Sequence, residues 1–508
     1  MIQSSVVGRQ SSDSVAGRWA LAVGRILLVL AVGFGSTASF AQHKTLVLKG
    51  GKLLTISHGE IENGVLVISA GKIAAIGAAN AVKVPKDAQV IDVTGMTVYP
   101  GLIDSESYLG LTEISAEGST NDLIETSDEI MPHMHVYDAF HAESELIPVA
   151  RLNGITNAIV APQSQDTLPG QDSFIQLDGK SANDMLLVRD IAMPLNFTGE
   201  QRRNESWEKR KFPQTRMGLA AQLRQAFMDA QDYSQRWADY ERKKSDTTAK
   251  GDDRKGPPTP PKHDLKLEAL LPYLQGKKAI VLAAQEPSDL ETAVGLARQF
   301  NLKFVLNHIS HSQSVLDYVA SLRVPVIVGP IYEDPKNYER YDAVYKLPGE
   351  LYKRGVKIAF ASYDAHAVRN LPYAAGFATA FGLPHDEALK AITLNPAEIW
   401  GVADQLGSLD VGKTANVVVA DGDPLDVKTD VRRVFIDGQE VPMKLFFEDY
   451  ENLKSHMQPA KERSLLVNLL AGAATTTAPV SAKLQKLLSA ASVERGEILD
   501  SRITVTPA

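Results

Sequence analysis

Short apolar runs punctuate the chain between residue 101 and about residue 396. Within these runs apolar and polar positions do not alternate, which is typical of strands buried on both faces of a parallel sheet. Helical stretches, such as 289–300 and 312–321, fall between the runs. The strand candidates are 102–104, 156–160, 279–282, 303–306, 324–328 and 357–361. This alternation predicts an α/β fold, and its length favours a TIM-like (β/α)8 barrel over a doubly wound sheet.

The segments on either side of the predicted barrel have a different residue pattern. Residues 45–99 and 407–438 contain short β-branched runs separated by turns that are rich in glycine. Such runs predict strands joined by tight turns. We expect residues 42–100 and 401–445 to form one small discontinuous β-sandwich, with the barrel at 101–400 and an Ala/Thr/Ser-rich tail at 446–508.

An insertion at 200–265 interrupts the alternation of predicted strands and helices. Apolar residues from Met217 to Tyr240 recur mostly at three- and four-residue steps, which predicts one long amphipathic helix packed on the barrel. The following stretch, 243–262, is charged and rich in proline, and it predicts a solvated linker.

The first forty residues resemble an export signal. Arg9, Arg18 and Arg25 precede the apolar run 26–34, and small residues end at Ala41. This order predicts a secretory signal, residues 1–41, that is cleaved after Ala41. The alternative is a retained membrane anchor, but the run is short for a span and Arg25 interrupts its extension. We therefore expect a periplasmic or extracellular protein without a membrane span after cleavage.

Composition excludes several classes of function. The 508 residues include no Cys, which rules out thiolate zinc sites, iron–sulfur clusters and cysteine nucleophiles. The formal net charge is −8, which argues against nucleic-acid binding through phosphate contacts.

Ordered motifs at the two ends of the barrel carry a family resemblance. Tyr99-Pro100-Gly101-Leu102-Ile103-Asp104 resembles the entry into the first barrel strand of the amidohydrolase superfamily. The motifs at 393–397, 407–409, 412–416 and 421–425 are similar to its exit into the C-terminal sandwich. The resemblance spans about residues 45–440 and is nearest to the imidazolonepropionase-like exported amidohydrolases. It implies a metal-binding barrel with a small sandwich, and hydrolysis of carbon–nitrogen bonds.

The resemblance also implies metal ligands at the carboxyl ends of the strands. The superfamily pattern is His-x-His on strand one, Lys or Glu on strand four, His on strands five and six, and Asp on strand eight. Here Glu106 and Tyr108 occupy the two strand-one positions, and Ala283 occupies the strand-five position. His308 matches on strand six, and Asp364 matches on strand eight if one residue of slip is allowed; the strand-four residue is not located.

These substitutions predict an altered metal centre, because zinc is held largely by nitrogen and sulfur donors. We predict Glu106, His308, Asp364 and His366 as ligands of one divalent ion, either zinc, manganese or iron, with Asp364 as general base. The pair His133 and His135 has ligand spacing, but it lies in a loop. An inactive descendant would hold no metal.

Three further residues are candidates for substrate binding. Arg369 follows strand eight and offers a guanidinium for a substrate carboxylate; the alternative is a structural Arg that bonds loop carbonyls. Tyr108 and Gln171 are expected to line the pocket, although Gln171 also fits a simple turn.

Two functions stay open at this point. One is a hydrolase of small amides, lactams or peptide-like molecules. The other is a catalytically inactive binding protein, or a partner subunit of a complete paralogue; either could form homo-oligomers.

Overall fold

The computed structural model describes residues 45–125, 127–163, 167–197, 212–213, 215–245, 258–310, 312–333 and 340–443. The predicted signal 1–41, the tail 446–508 and the linker residues 246–257 lie outside the described residues. None of the described helices is both long enough and apolar enough to cross a bilayer.

A separate β domain is built from both ends of the described chain. Its strands are β1 (Leu46–Leu54), β2 (Glu60–Ser69), β3 (Lys72–Ala78), β4 (Gln89–Asp92) and β5 (Thr97–Pro100), with β14 (Val417–Ala420), β15 (Val431–Ile436) and β16 (Gln439–Glu440). They form one hydrogen-bonded sheet in the order β16-β15-β14-β5-β1-β2-β3, with β4 also paired to β1. Buried Leu48, Leu66, Val98, Val417 and Phe435 share one apolar core. The predicted discontinuous β domain is confirmed.

Strand β1 changes its partner at a pair of glycines. Its first half pairs with β4 and its second half with β5. Gly50, between the two halves, has φ +94°, and a Cβ there would lie 2.3 Å from Thr94 Oγ1. Only glycine allows both the backbone conformation and this close approach.

The barrel contains eight strands in sequence order. They are β6 (Leu102–Ser107), β7 (Ile155–Val160), β8 (Asp172–Gln176), β9 (Leu186–Asn196), β10 (Ala279–Ala283), β11 (Lys303–Asn307), β12 (Val326–Val328) and β13 (Ile358–Phe360). Tyr363 N donates to Glu106 O (3.0 Å) and Tyr108 N donates to Asp364 O (3.1 Å), which joins the last strand region to the first. The predicted α/β class with a barrel-like sheet is therefore confirmed.

One barrel strand departs from the regular pattern. Strand β8 is antiparallel to both β7 and β9, whereas the other paired strands are parallel. Only eleven residues, 161–171, connect β7 to β8. Such a connection is too short for a helical crossover, so the chain returns in the opposite direction.

The helices surround the barrel sheet. They are α1 (Val136–Ala139), α2 (Leu146–Arg151), α3 (Ala182–Met185), α4 (Arg216–Ser245), α5 (Leu265–Leu274), α6 (Pro287–Gln299), α7 (Gln313–Leu322), α8 (Ala343–Lys353), α9 (Leu371–Thr379), α10 (His385–Lys390) and α11 (Leu394–Ile399), with 3-10 turns at Gly118–Thr120 and Ala367–Asn370.

Helix α4 is the long helix that the insertion predicts, with 30 residues. It buries Leu219, Leu223 and Phe227, and the ring of Phe227 lies 5.1 Å from that of Phe300. Met217, which the sequence places on the packed stripe, is 79% exposed. The packed face therefore begins at Leu219, two residues later than the sequence pattern suggests.

Candidate functional site

The barrel interior contains an apolar layer. Ile103, Ile159, Phe174, Val281, Val305, Ile327 and Ala361 belong to one buried cluster, which also includes Trp400 from the segment after α11. Large branched and aromatic side chains fill the space between the strands, as in a packed barrel core. This layer gives the barrel a closed floor.

A polar cluster lies nearer the barrel mouth, at the carboxyl ends of the parallel strands and the amino end of the antiparallel β8. We define it as five buried residues, Asp104, Glu106, Asp172, Asn307 and Tyr363. Asn307 Nδ2 donates to Glu106 Oε2 at 3.0 Å. Because β6 and β11 are not neighbours in the sheet, this hydrogen bond crosses the barrel interior and shows that both side chains point inward.

Burial dominates the electrostatics of the carboxyl groups. It raises the pKa of Glu106 to about 8, which the Asn307 hydrogen bond opposes and the nearby Asp104 charge reinforces. Burial also raises the pKa of Asp104 to about 7, although the backbone N–H groups of Ser362 and Glu106 donate to its Oδ1. Burial together with the Glu106 charge raises the pKa of Asp172 well above its usual range.

The cluster has more polar atoms than the described residues satisfy. Within the described chain, no hydrogen bond of normal geometry is found for Asp104 Oδ2, Glu106 Oε1, either carboxylate oxygen of Asp172, Asn307 Oδ1 or the Tyr363 hydroxyl, although this hydroxyl interacts with the Asn307 side chain. Most buried polar groups in proteins are hydrogen-bonded, and unpaired ones are expensive. This excess of buried polar atoms without hydrogen bonds distinguishes the polar cluster from a region that only stabilises the fold.

His308 connects the polar cluster to the barrel mouth. It follows β11, and its ring centroid lies 4.3 Å from that of Tyr363 with the planes inclined by 39°. Both residues have left-handed backbones, with φ +51° at His308 and +50° at Tyr363. Residues other than glycine rarely adopt this backbone conformation, and such strained residues concentrate at functional sites.

Gly329, after β12, packs directly behind Tyr363. It has φ +140°, and a Cβ there would lie 2.1 Å from Ala361 O and 3.4 Å from Tyr363 Cε2. Any side chain would push this wall away from the Tyr363 ring. The glycine is therefore part of the support for the His308–Tyr363 stack.

A cavity of about 300 Å³ opens beside His308. It lies where β10, β11 and β12 end, on the face that carries the active sites of barrel enzymes. Helix α8 supplies the remaining wall. The lining residues are Gln285, Glu286, Pro287, His308, Ile309, Ser310, Ser312, Ser314, Gly329, Pro330, Ile331, Glu333, Val344 and Leu347.

Asp364, the predicted general base, is engaged by the backbone. Its Oδ1 accepts hydrogen bonds from the N–H groups of His366 (2.5 Å) and Ala367 (2.7 Å), so it caps the 3-10 turn Ala367–Asn370. About half of its side chain, 49%, is exposed. The residue does not line the cavity.

His366 and Arg369 follow on the same turn and face outward. The nearest carboxylate oxygen to His366 Nδ1 is Asp364 Oδ1, at 3.9 Å. Arg369 is exposed, and its carbonyl accepts a hydrogen bond from Asn153 Nδ2. Neither side chain lines the cavity.

Of the other two predicted substrate residues, Tyr108 is half-buried and Gln171 is buried. Burial, with the charges of Glu106, Asp364 and Glu333, raises the pKa of Tyr108. Its ring packs against the apolar layer, and it does not line the cavity. Gln171 Nε2 donates to Pro132 O (3.0 Å), and its Oε1 accepts from the Tyr273 hydroxyl (2.8 Å). As placed, Gln171 holds a loop together and is remote from the cavity lining.

The predicted metal ligands do not converge. Glu106 bonds to Asn307, His308 stacks on Tyr363, and Asp364 caps a turn. Across the described ranges, no group of three His, Asp or Glu side chains is arranged to hold a metal ion. His135, from the loop pair, instead contacts Asp190 at 2.7 Å. The donor set as arranged does not fit the divalent ion that the resemblance implies.

Several residues of the site were not predicted from the sequence. They include Asn307 and Tyr363, which directly precede the predicted His308 and Asp364, and the two cavity carboxylates Glu286 and Glu333. The signal for Asn307 and Tyr363 was their position at strand ends, since inward and outward side chains alternate there.

Comparisons with known proteins agree with this architecture. A model of the Amidohydrolase family matches residues 344–441. An amidohydrolase from Thermotoga maritima MSB8 is 26% identical, with a TM-score of 0.70 over 78% of this chain and 100% of that chain.

The chain matches only part of the length of its curated relatives. The chain is 27% identical over 377 residues to the amidohydrolase tasK of Hapsidospora irregularis, which covers 70% of this chain but only 37% of that protein. It is 42% identical over 59 residues to the N-substituted formamide deformylase of Arthrobacter pascens, or 10% of this chain and 11% of that protein. The family match, the relatives and the solved structure are thus all similarities of this chain to amidohydrolases, and the solved structure extends the similarity to the fold as a whole.

Proposed function

We propose that the protein is an exported hydrolase that cleaves a carbon–nitrogen bond in a small amide, lactam or peptide-like molecule. The observation that carries this proposal is the cavity at the ends of β10, β11 and β12, with His308 in its wall and stacked over the polar cluster. The similarity to amidohydrolases supports the reaction class, and the cavity volume suits a small molecule. Residues 1–41 support export.

The described residues supply groups that such a reaction uses. Imidazole is the common general acid or base near neutral pH, and His308 reaches the cavity. Ser310 and Ser312 offer hydroxyl donors to a substrate carbonyl. In the superfamily, a divalent ion polarises the substrate and activates water. Because the predicted ligands engage protein groups, we assign no step to a metal here.

A second candidate function is binding without catalysis, alone or as the partner subunit of a complete paralogue. It is favoured by one observation, the separate engagement of Glu106, His308 and Asp364 by Asn307, Tyr363 and the turn backbone. An inactive descendant would keep the cavity while losing the reactive geometry.

The deciding experiment measures turnover and metal content on the same preparation. The full chain is purified without chelators, analysed for zinc, manganese and iron, and incubated with amides, lactams and dipeptides while products are followed by mass spectrometry. We expect product from at least one of these classes and a loss of about 100-fold or more in His308→Ala. The exposed His58→Ala variant is the matched control.

Three outcomes separate the candidates. Binding without product from any member of the panel would contradict hydrolysis and support the inactive binding protein. A stoichiometric ion that is lost in Asp364→Asn would show that the predicted ligands do assemble. A mature amino terminus at residue 42 would support export.

A further inference from the structure

We infer that the cavity is a two-sided site that selects amide or peptide-like molecules carrying an aliphatic group, with Val344 and Leu347 of α8 as the residues that determine this preference. The inference rests on the proposed function in taking the cavity as the substrate site. It goes beyond that function by naming the substituent that the substrate carries and the side of the cavity that receives it.

The lining of the cavity is divided by polarity. The segments after β10 and β11 form a mostly polar side, which comprises Gln285, Glu286, Pro287, His308, Ile309, Ser310, Ser312 and Ser314. The segment after β12 and helix α8 form a mostly apolar side, which we call the aliphatic side and which comprises Gly329, Pro330, Ile331, Glu333, Val344 and Leu347. A ligand that fills the cavity therefore meets hydrogen-bonding groups on one side and hydrocarbon on the other.

Helix α8 presents two aliphatic side chains to the cavity. Val344 and Leu347 are three residues apart, so they lie on the same face of the helix, and both line the cavity. Each is half-buried, so each leaves apolar surface that a ligand can cover. Glu333 lies on the same side of the cavity, but it is already engaged within the protein. Covering the apolar surface with an aliphatic group removes hydrocarbon from water, which favours binding.

Contacts elsewhere on α8 hold the aliphatic side in place. Tyr345 packs edge to face on Phe377, with ring centroids 5.0 Å apart and planes inclined by 89°. Lys346 Nζ lies 2.5 Å from Asp342 Oδ2 at the start of the helix. Because these contacts fix the first turn of α8, the side chains that face the cavity are already oriented, and a ligand that packs on them loses little free energy in ordering them.

The two sides together determine how an amide ligand lies in the cavity. Its carbonyl and N–H groups find hydrogen-bonding partners on the polar side, among them Gln285, Ser310 and Ser312. A ligand that lay the other way round would press these groups against Val344 and Leu347, where they would lose hydrogen bonds to water without replacement. The aliphatic substituent is therefore directed to α8, and a polar substituent of the same shape is disfavoured there.

Three neutral probes test the inference. They are N-acetyl-L-leucinamide, N-acetyl-L-asparaginamide and N-acetylglycinamide. The leucine and asparagine side chains have nearly the same shape but differ in polarity, and the glycine probe has no side chain. Binding to the full chain is measured by ligand-observed NMR titration. We expect the leucine probe to bind about ten-fold tighter than either of the other two.

Two variants locate the preference on α8. Val344→Thr keeps the shape of the side chain but replaces a methyl group by a hydroxyl, and Leu347→Ala removes most of the side chain. Each should weaken the leucine probe by about three-fold or more and leave the asparagine probe within about two-fold of the wild type. Val427→Thr, at a valine that is 70% exposed and outside the cavity lining, is the matched control and should change neither probe. Circular dichroism checks that each variant is folded, and Val344→Thr alone carries the test if Leu347→Ala is not.

Each contrary result has a defined meaning. Equal or tighter binding of the asparagine probe, equal losses for the leucine and asparagine probes in the variants, or no binding of any probe overturns the inference. Hydrolysis of the probes is followed separately by mass spectrometry. A chain that prefers the leucine probe but cleaves none of the three counts against the proposed hydrolysis and leaves the aliphatic preference intact. Cleavage of probes that bind equally well would support hydrolysis and contradict the preference.

Discussion

The apolar layer and the polar cluster, at the two ends of the barrel interior, differ in the contacts that their buried side chains make. In the apolar layer, Ile103, Phe174 and Val305 are at most 3% exposed and belong to one apolar cluster. Two or three residues farther along the strands, Glu106 and Tyr363 are also buried but carry polar atoms without a hydrogen bond of normal geometry in the described chain. The difference teaches that one end is built for stability and that the other gives up stability for a polar surface.

The largest expected effect comes from the apolar layer. Phe174→Ala removes a fully buried ring and should lower the free energy of unfolding by about 3–5 kcal/mol. Chemical denaturation measures this loss. Phe212→Ala, at a ring that is 64% exposed, should change it by about 0.5 kcal/mol or less. Equal losses in both variants would remove the contrast between the two ends.

A smaller effect is expected in the polar cluster, and it depends on pH. The pKa of Asp172 is raised in the folded state, so the folded chain keeps a proton that the unfolded chain releases above its ordinary pKa of 3.8. Wild-type stability should therefore fall as pH rises above that value, by up to about 1.4 kcal/mol per pH unit from this group. Asp172→Asn removes this component.

Thermal unfolding at pH 5 and pH 7 tests the sign. The Asp172→Asn variant should lose less stability between these two pH values than the wild type does. Asp404→Asn, at an exposed carboxylate, should follow the wild-type profile. If Asp172→Asn also follows that profile, the carboxyl group is not held protonated by burial.

The smallest expected effect is the difference in stability loss between two Tyr→Phe variants. The Tyr273 hydroxyl donates to Gln171 Oε1 at 2.8 Å, so Tyr273→Phe strands a buried acceptor and should cost about 1–3 kcal/mol. Tyr363→Phe removes a hydroxyl that interacts with the Asn307 side chain without a hydrogen bond of normal geometry, and it keeps the ring on His308. It should therefore leave stability within about 1 kcal/mol of the wild type. A larger loss in Tyr363→Phe than in Tyr273→Phe would contradict the description of the polar cluster.

The sequence predicts the fold where its pattern is purely apolar. Strand β10 stands out because its residues are all apolar and nearly all buried. Strands β8 and β9 were not predicted, since Asp172, Ser173, Arg189 and Asp190 interrupt their apolar character. In the sequence, a buried Asp at a strand end cannot be distinguished from an Asp in a turn. Only the tertiary structure shows that its carboxyl group points into the barrel.

The candidate site is harder to predict than the fold. Glu106 and His308 could be named because they occupy positions that the family resemblance marks. Their partners could not, because the hydrogen bond from Asn307 to Glu106 joins β11 to β6 across the interior. The Tyr363 ring likewise packs against Gly329, which comes from a different strand end. Neither feature has a local sequence signature.

The pairing of β5 with β14 bears on how the chain folds. Val417 lies opposite Pro100, about 300 residues earlier in the chain. Contacts of such high sequence separation slow folding, because a very long loop must close before they form. Until β14 is synthesised, β5 presents an open sheet edge that invites pairing with other chains. A truncated product that ends before residue 417 should therefore be prone to aggregation, even though every barrel strand is present.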